Sequence, residues 1–210
     1  MDRIFAYTEV QTDYLKSKDE KLAKLIDFVG KIERKVTPEL YSAMVDSIMG
    51  QQISTAAHST IRQRLKDGVG EITPNAINEM SRENLQAFGL SWRKTDYIKD
   101  FTKKIVDGDF HLETLKAMSD EQVIKELLSL KGVGRWTAEM LMTFSMERMD
   151  VLSYGDLGIR RGICRLYGLE TLSEKEFSQL TDKFSPYRSV AALYFWAYAA
   201  PDCGTIEGED

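Results

Sequence analysis

An all-α fold is predicted from three features of this 210-residue chain. Only four prolines interrupt it, no Asn-Gly or Asp-Gly turn stands between alternating strand-like segments, and apolar residues recur at helical spacing, as in Leu22, Leu25, Ile26 and Val29. In chain order the pattern predicts helices over 18–31, 38–49, 55–66, 74–78, 81–87, 91–107, 112–117, 120–129, 135–144, 157–167, 174–184 and 188–199. Pro38 opens the second, because its fixed φ and missing N–H suit a first helical turn. Ser119-Asp120-Glu121-Gln122 and Ser173-Glu174-Lys175-Glu176 read as capping boxes for the helices at 120 and 174. The apolar run over 190–200 stops at Pro201, far short of the roughly 20 residues a membrane span needs, so it reads as a buried helix. No internal repeat, low-complexity tract or long linker is present, and the polar end over 204–210 is expected to fray.

With 43% apolar and 29% charged residues the chain is ordinary globular protein, long enough for one domain or two small ones. Cys164 and Cys203 are its only cysteines and the opening Met1-Asp2-Arg3 carries no apolar leader, which points to two free thiols in a reducing cytoplasm. A net charge of −5 argues against wide wrapping of phosphate, but it says little about local field. Acid gathers at the end, in Asp202, Glu207, Glu209 and Asp210, whereas Arg93, Lys94, Lys131, Arg135, Arg160, Arg161, Arg165 and Arg188 stand near candidate turns. His58 and His111 are too isolated for a metal site.

Four groups of residues carry the chemistry. Leu130-Lys131-Gly132-Val133-Gly134-Arg135-Trp136-Thr137-Ala138 places two glycines around one apolar residue between helices. On its own this is a helix end with a tight corner, or a turn whose bare amides at a helix N-terminus hold an anion. Asp156, just before an apolar-periodic helix, reads as an N-cap with Arg160 one turn on to pair with it. A helix N-terminus also favours an ionised carboxylate there. Trp136, Trp196 and Tyr194, with Tyr187 and Tyr154 near them in sequence, read as core packing or as the walls of an aromatic pocket. Gln51 and Gln52 sit on a turn between helices, where amides satisfy backbone groups.

Together the hairpin and Gly155-Asp156-Leu157-Gly158-Ile159-Arg160-Arg161-Gly162 resemble the helix-hairpin-helix and active-site aspartate of the base-excision DNA glycosylase superfamily, in particular its 3-methyladenine DNA glycosylase II type. The resemblance extends from the segment 38–54, similar to the family's helix and turn that enter the minor groove, through 89–98 to 185–196. It implies two helical subdomains, 1–45 with 156–210 and 46–155, with the active-site cleft between them. It further implies a monofunctional enzyme that hydrolyses the N-glycosidic bond of alkylated purines in double-stranded DNA and leaves an abasic site.

Residue by residue, the resemblance makes Asp156 the catalytic carboxylate that stabilises the sugar cation and orients water. Trp136, Trp196 and Tyr194 become the pocket for an extruded base, whose electron-rich faces favour cationic rings. Gly132, Gly134, Arg135 and Thr137 grip phosphate, Gln52 or Ile53 fills the gap left in the duplex, and Gln51 meets the opposite strand. The carbonyls of Leu128, Leu130 and Val133 would hold a sodium, potassium or magnesium ion, and no cofactor is required. Members that also cut the strand carry a lysine just after Gly-x-Gly-Arg, where this chain has Trp136; members with an iron–sulfur cluster need four cysteines, and this chain has two. The enteric representative's extra N-terminal domain finds no room before Asp19, so a compact, monomeric, cytoplasmic form is expected. The rival readings are a catalytically silent DNA-binding module and a glycosylase for uracil, oxidised guanine or mismatches.

Overall fold

The computed structural model describes residues 3–204 and 206. The chain's first two residues and most of the tail expected to fray therefore lie outside the described residues. In order, the helices are α1 (Glu9–Lys18), α2 (Glu20–Val29), α3 (Leu40–Gly50), α4 (Thr55–Val69), α5 (Pro74–Glu79), α6 (Arg82–Ala87), α7 (Trp92–Val106), α8 (Asp120–Leu128), α9 (Arg135–Phe144), α10 (Leu157–Tyr167), α11 (Glu174–Thr181) and α12 (Arg188–Ala199). Short 3-10 helices cover Leu112–Ala117 and Asp182–Phe184, so the expected helix over 174–184 ends in a tighter turn and 112–117 is not α-helical. The only extended pairing among the described residues is an antiparallel bridge between Ile4 and Lys35. No helix among them is long and apolar enough to cross a membrane.

The chain divides into two compact units, a terminal unit of Met1–Val36 with Met142–Asp210 and a central unit of Thr37–Leu141. The boundaries fall at 36/37 and 141/142, compared with 45/46 and 155/156 from sequence, and the second lies inside α9.

In the terminal unit α12 is buried on nearly every side, through Val190, Ala191, Ala192, Leu193, Tyr194, Phe195 and Tyr198. Ile159, Ile163 and Leu166 form one face of α10 and join the same core with Leu15, Leu22, Leu25 and Ile26 of α1 and α2. The helices α10 and α12 meet at backbone distance, since a Cβ on Gly162 would lie 2.0 Å from the Phe195 carbonyl oxygen. The first turn of α12 also secures the segment that leads to α10. Ser189 Oγ donates to the Arg148 carbonyl at 2.6 Å and accepts from the Val151 amide at 2.9 Å, while Arg188 donates to both carboxylate oxygens of Asp150, at 2.8 and 3.0 Å. Burial pushes the Asp150 carboxyl up, but hydrogen bonds from Arg188 and Ser185 outweigh it and hold the group below the usual carboxylate range.

In the central unit α7 packs against α3, α5 and α6. Tyr41 of α3 stacks on Phe101 of α7 at 5.3 Å, and its hydroxyl lies 2.7 Å from Thr102 Oγ1; desolvation pushes that hydroxyl's pKa up. Two lysines of α7 close the carbonyl ends of neighbouring helices. Lys99 Nζ donates to the carbonyls of Ile77, Asn78 and Met80 at 3.1, 3.0 and 2.8 Å, which caps α5. Lys94 does the same for α3.

Candidate functional site

The hairpin belongs to the central unit and its two glycines have different causes. Gly132 has φ of 84° and a Cβ there would stand 2.4 Å from Tyr97 Cδ2, so both the backbone and the packing exclude a side chain. Gly134 has neither constraint, since its Cβ would meet open space. The fold does not require a glycine at 134; what a glycine provides there is bare backbone on an open face. Leu130 and Val133 are buried anchors, and the Val133 amide closes the turn on the Leu130 carbonyl at 3.2 Å. Among the described residues the amides of Gly132, Gly134 and Arg135 make no backbone hydrogen bond, which leaves three donors at the positive end of α9.

The neighbouring side chains are more committed than the sequence suggests. Arg135 Nε pairs with Glu139 Oε1 at 3.0 Å, and Lys131 Nζ with Asp100 Oδ1 at 3.1 Å. Thr137, expected on the gripping face, is only 5% exposed and packs inward, as the small residue at the start of a tightly packed helix. Trp136 is 46% exposed on the first turn of α9. The carbonyls of Leu128 and Val133 accept no backbone hydrogen bond among the described residues and that of Leu130 accepts one, so three oxygens with spare lone pairs stand around the hairpin.

Gln51, Gln52 and Ile53 form the turn from α3 to α4. Gln52 has φ of 55°, in the left-handed region, and Ile53 is 37% exposed. Gln51, expected to meet an opposite strand, instead donates its Nε2 to the Gly132 carbonyl at 2.7 Å. Beneath the turn Lys94 Nζ donates to the carbonyls of Met49 at 2.8 Å and Gln51 at 2.6 Å.

Asp156 lies in the terminal unit and is 9% exposed. It caps α10, its Oδ1 accepting from the Ile159 amide at 2.9 Å, as its position before the helix predicts. A second donor, Trp196 Nε1, reaches the same oxygen at 2.9 Å. Gly158 makes that approach feasible, because its Cβ would lie 2.9 Å from Trp196 Cδ1 and 3.1 Å from Asp156 Oδ1. Phe144 backs the indole at a centroid distance of 5.4 Å. The carboxylate is thus fixed in orientation by a helix N-terminus and an indole, a suitable arrangement for stabilising a nearby cation.

Three expectations are corrected here. Arg160 does not pair with Asp156; its guanidinium lies over the Tyr154 ring at 5.2 Å. Tyr194 does not line a pocket beside Asp156: it is buried in the core with its hydroxyl 3.4 Å from that of Tyr7, because two residues on a helix lie about 200° apart and Trp196 takes the face toward α10. Tyr154 and Tyr187 are structural as well, the first donating to the Leu172 carbonyl at 3.2 Å and the second meeting Tyr14 edge-on at 5.2 Å. Sequence reasoning missed the Trp196 hydrogen bond, though Gly158 and Gly162, four apart on one face, were a readable signal for a close helix neighbour. It also missed Lys94, for which a lysine on a helix offers no such signal.

Comparisons with known proteins bear on the family and the fold. The profile described as HhH-GPD superfamily base excision DNA repair protein matches residues 45–186. The chain is similar to DNA-3-methyladenine glycosylase 1 of Schizosaccharomyces pombe, at 32% identity over 87% of this chain and 84% of that protein. Its fold is similar to the crystal structure of a DNA-3-methyladenine glycosidase from Bacillus halodurans, with a TM-score of 0.86 at 33% identity, covering 95% of this chain and 93% of the other. It is also similar to a 3-methyladenine DNA glycosylase of Schizosaccharomyces pombe solved in complex with abasic DNA, with a TM-score of 0.77 at 29% identity over 94% and 100% of the two chains.

Proposed function

The chain belongs to the HhH-GPD superfamily of base excision DNA repair proteins, and on that premise we propose that it is a DNA glycosylase that removes alkylated purines of the 3-methyladenine and 7-methylguanine type. It hydrolyses the N-glycosidic bond: water supplies the oxygen that joins C1′, the base departs, and an abasic site remains. The bare amides of the hairpin hold a phosphate of double-stranded DNA, sequence-independently. Ile53 or Gln52 occupies the space left when the damaged nucleotide turns out of the stack. An N-alkylated purine already carries positive charge and is a good leaving group, so its departure needs little protonation. What the reaction requires is a fixed negative charge near the sugar as it becomes an oxocarbenium ion. Asp156, oriented by the Ile159 amide and the Trp196 indole, supplies it and aligns the attacking water. That doubly held carboxylate is the observation that carries this reading.

Selectivity for cationic bases is assigned to Trp136, whose half-exposed indole offers a π face. Trp196 serves the carboxylate first. We infer no strand-cutting through an imine, because Trp136 stands where such enzymes carry a lysine and Lys131 is engaged with Asp100. A sodium, potassium or magnesium ion on the carbonyls of Leu128, Leu130 and Val133 fits the spare lone pairs there, and its charge would add to the attraction for phosphate. The two free cysteines suit a monomer working in the reducing cytoplasm. Incubating the purified protein with methylated DNA and separating released bases by chromatography tests the assignment: 3-methyladenine and 7-methylguanine are expected, and their absence would remove it.

A further inference from the structure

Lys94 is 9% exposed, and its ammonium is met by two backbone carbonyls and by no carboxylate among the described residues. Burial lowers its pKa, with the neighbouring Arg93 charge adding to that effect. A buried charge without a counter-charge is costly, and capping two carbonyls at the end of α3 offsets part of that cost. The position of Lys94 gives the cap a second consequence. Both carbonyls it holds, those of Met49 and Gln51, flank the end of α3, directly before the left-handed Gln52. The side chain of Gln51 in turn reaches 2.7 Å to the carbonyl of Gly132, the one hairpin residue whose backbone and surroundings exclude any side chain.

The geometry points to Lys94 and Gln51 as positioning residues that lock the turn bearing Gln52 and Ile53 to the hairpin, so that seating the hairpin on a phosphate sets how deeply that turn enters the duplex. The linkage runs from the α7 ammonium to the end of α3, from the Gln51 backbone to its own amide, and from there to Gly132. Each contact is a hydrogen bond to a backbone carbonyl, which fixes main-chain position whatever side chain the turn carries. Without the ammonium, two carbonyls at the end of α3 lose their donor and the strained φ of Gln52 loses its support. The proposal rests on the reading that this turn fills the gap left by an extruded base.

The test compares release of 7-methylguanine from a duplex in which it faces cytosine with release from one in which it faces an abasic site. Pairing resists extrusion only in the first. Lys94→Met keeps most of the unbranched side chain and removes its charge and donors. It is expected to slow release from the paired duplex by about tenfold while release opposite the abasic site and binding to undamaged duplex stay within about twofold. Gln51→Leu, which leaves Lys94 in place, is expected to give the same signature, and the double variant to be no worse than the more affected single one. Equal losses on both substrates would make Lys94 a stability residue and overturn the proposal. Should Lys94→Met fail to fold, an unchanged ratio in Gln51→Leu overturns it alone. The paired variant Gln52→Ala with Ile53→Ala separates the premise: if it leaves the ratio untouched, the turn is not a wedge and the proposal falls with it. If it shifts the ratio while Lys94→Met and Gln51→Leu do not, only the coupling is wrong.

Discussion

The hairpin and the carboxylate, in the roles proposed for them, work by opposite means. In the hairpin the groups proposed to grip are backbone amides, and at Gly134 the space a side chain would take is open. At Asp156 the group proposed to act is a side chain, held by the Ile159 amide and the Trp196 indole. The contrast shows in the glycines: Gly134 has open space where its Cβ would be, whereas Gly158 is a glycine because Trp196 occupies that space to reach Asp156. Changes in the first region should therefore alter how DNA is held, and changes in the second should alter what happens to it.

The largest separation is expected from Asp156→Asn. Asparagine is as good an N-cap, so the fold should survive, but the negative charge is gone; release of 3-methyladenine should fall by about 10³-fold in single-turnover assays while affinity for damaged duplex changes little. Trp196→Phe keeps an aromatic ring against Phe144 and removes one charge-assisted donor. A loss of about ten- to a hundredfold in release rate is expected, equal for cationic 3-methyladenine and neutral hypoxanthine because it acts through Asp156. A larger loss on the cationic base would return Trp196 to a stacking role.

The hairpin variants should break the comparison the other way. Gly134→Asp puts a negative charge on the open face and is expected to weaken binding to damaged and undamaged duplex alike by about five- to tenfold, with a shallower salt dependence. Its fold should hold, whereas Gly132→Ala, at positive φ and against Tyr97, should cost about 1–3 kcal/mol in urea unfolding. A smaller effect concerns the segment that leads to Asp156. Asp150 has its carboxyl held below the usual range, so its contribution is complete above that range and is lost as pH falls through the lowered value. Asp150→Asn should cost ~1 kcal/mol at neutral pH, with the gap to the parent closing in acid. Borohydride reduction during turnover should give no covalent adduct at all; an adduct abolished by Lys131→Ala would establish a lyase step.

Much of the fold was legible because helix signals are local. The capping boxes at Ser119 and Ser173 form as their spacing predicts. The helix α1 does not show in the sequence pattern even though Thr8 and Gln11 make the same motif, because only Thr12 and Leu15 of its ten residues are buried and its apolar stripe is too thin to read. At the site, Asp156 as a cap and the hairpin's anchors Leu130 and Val133 were readable from spacing. What was not readable depends on which helix lies opposite: Trp196 and Tyr194 share one apolar run, yet one meets a carboxylate and the other enters the core. Lys94 and Lys99 look like solvated charges until α3 and α5 end against them.

The claim that grip and chemistry reside in different regions is tested most directly by measuring single-turnover release of 3-methyladenine and equilibrium binding to a damaged duplex on the same preparations of Asp156→Asn and Gly134→Asp. At saturating protein, Gly134→Asp should release base at close to the parent rate despite weaker binding, and Asp156→Asn should bind like the parent and release almost nothing. Release by Asp156→Asn within about tenfold of the parent, a change of only ~1.4 kcal/mol in transition-state stabilisation, would contradict the account.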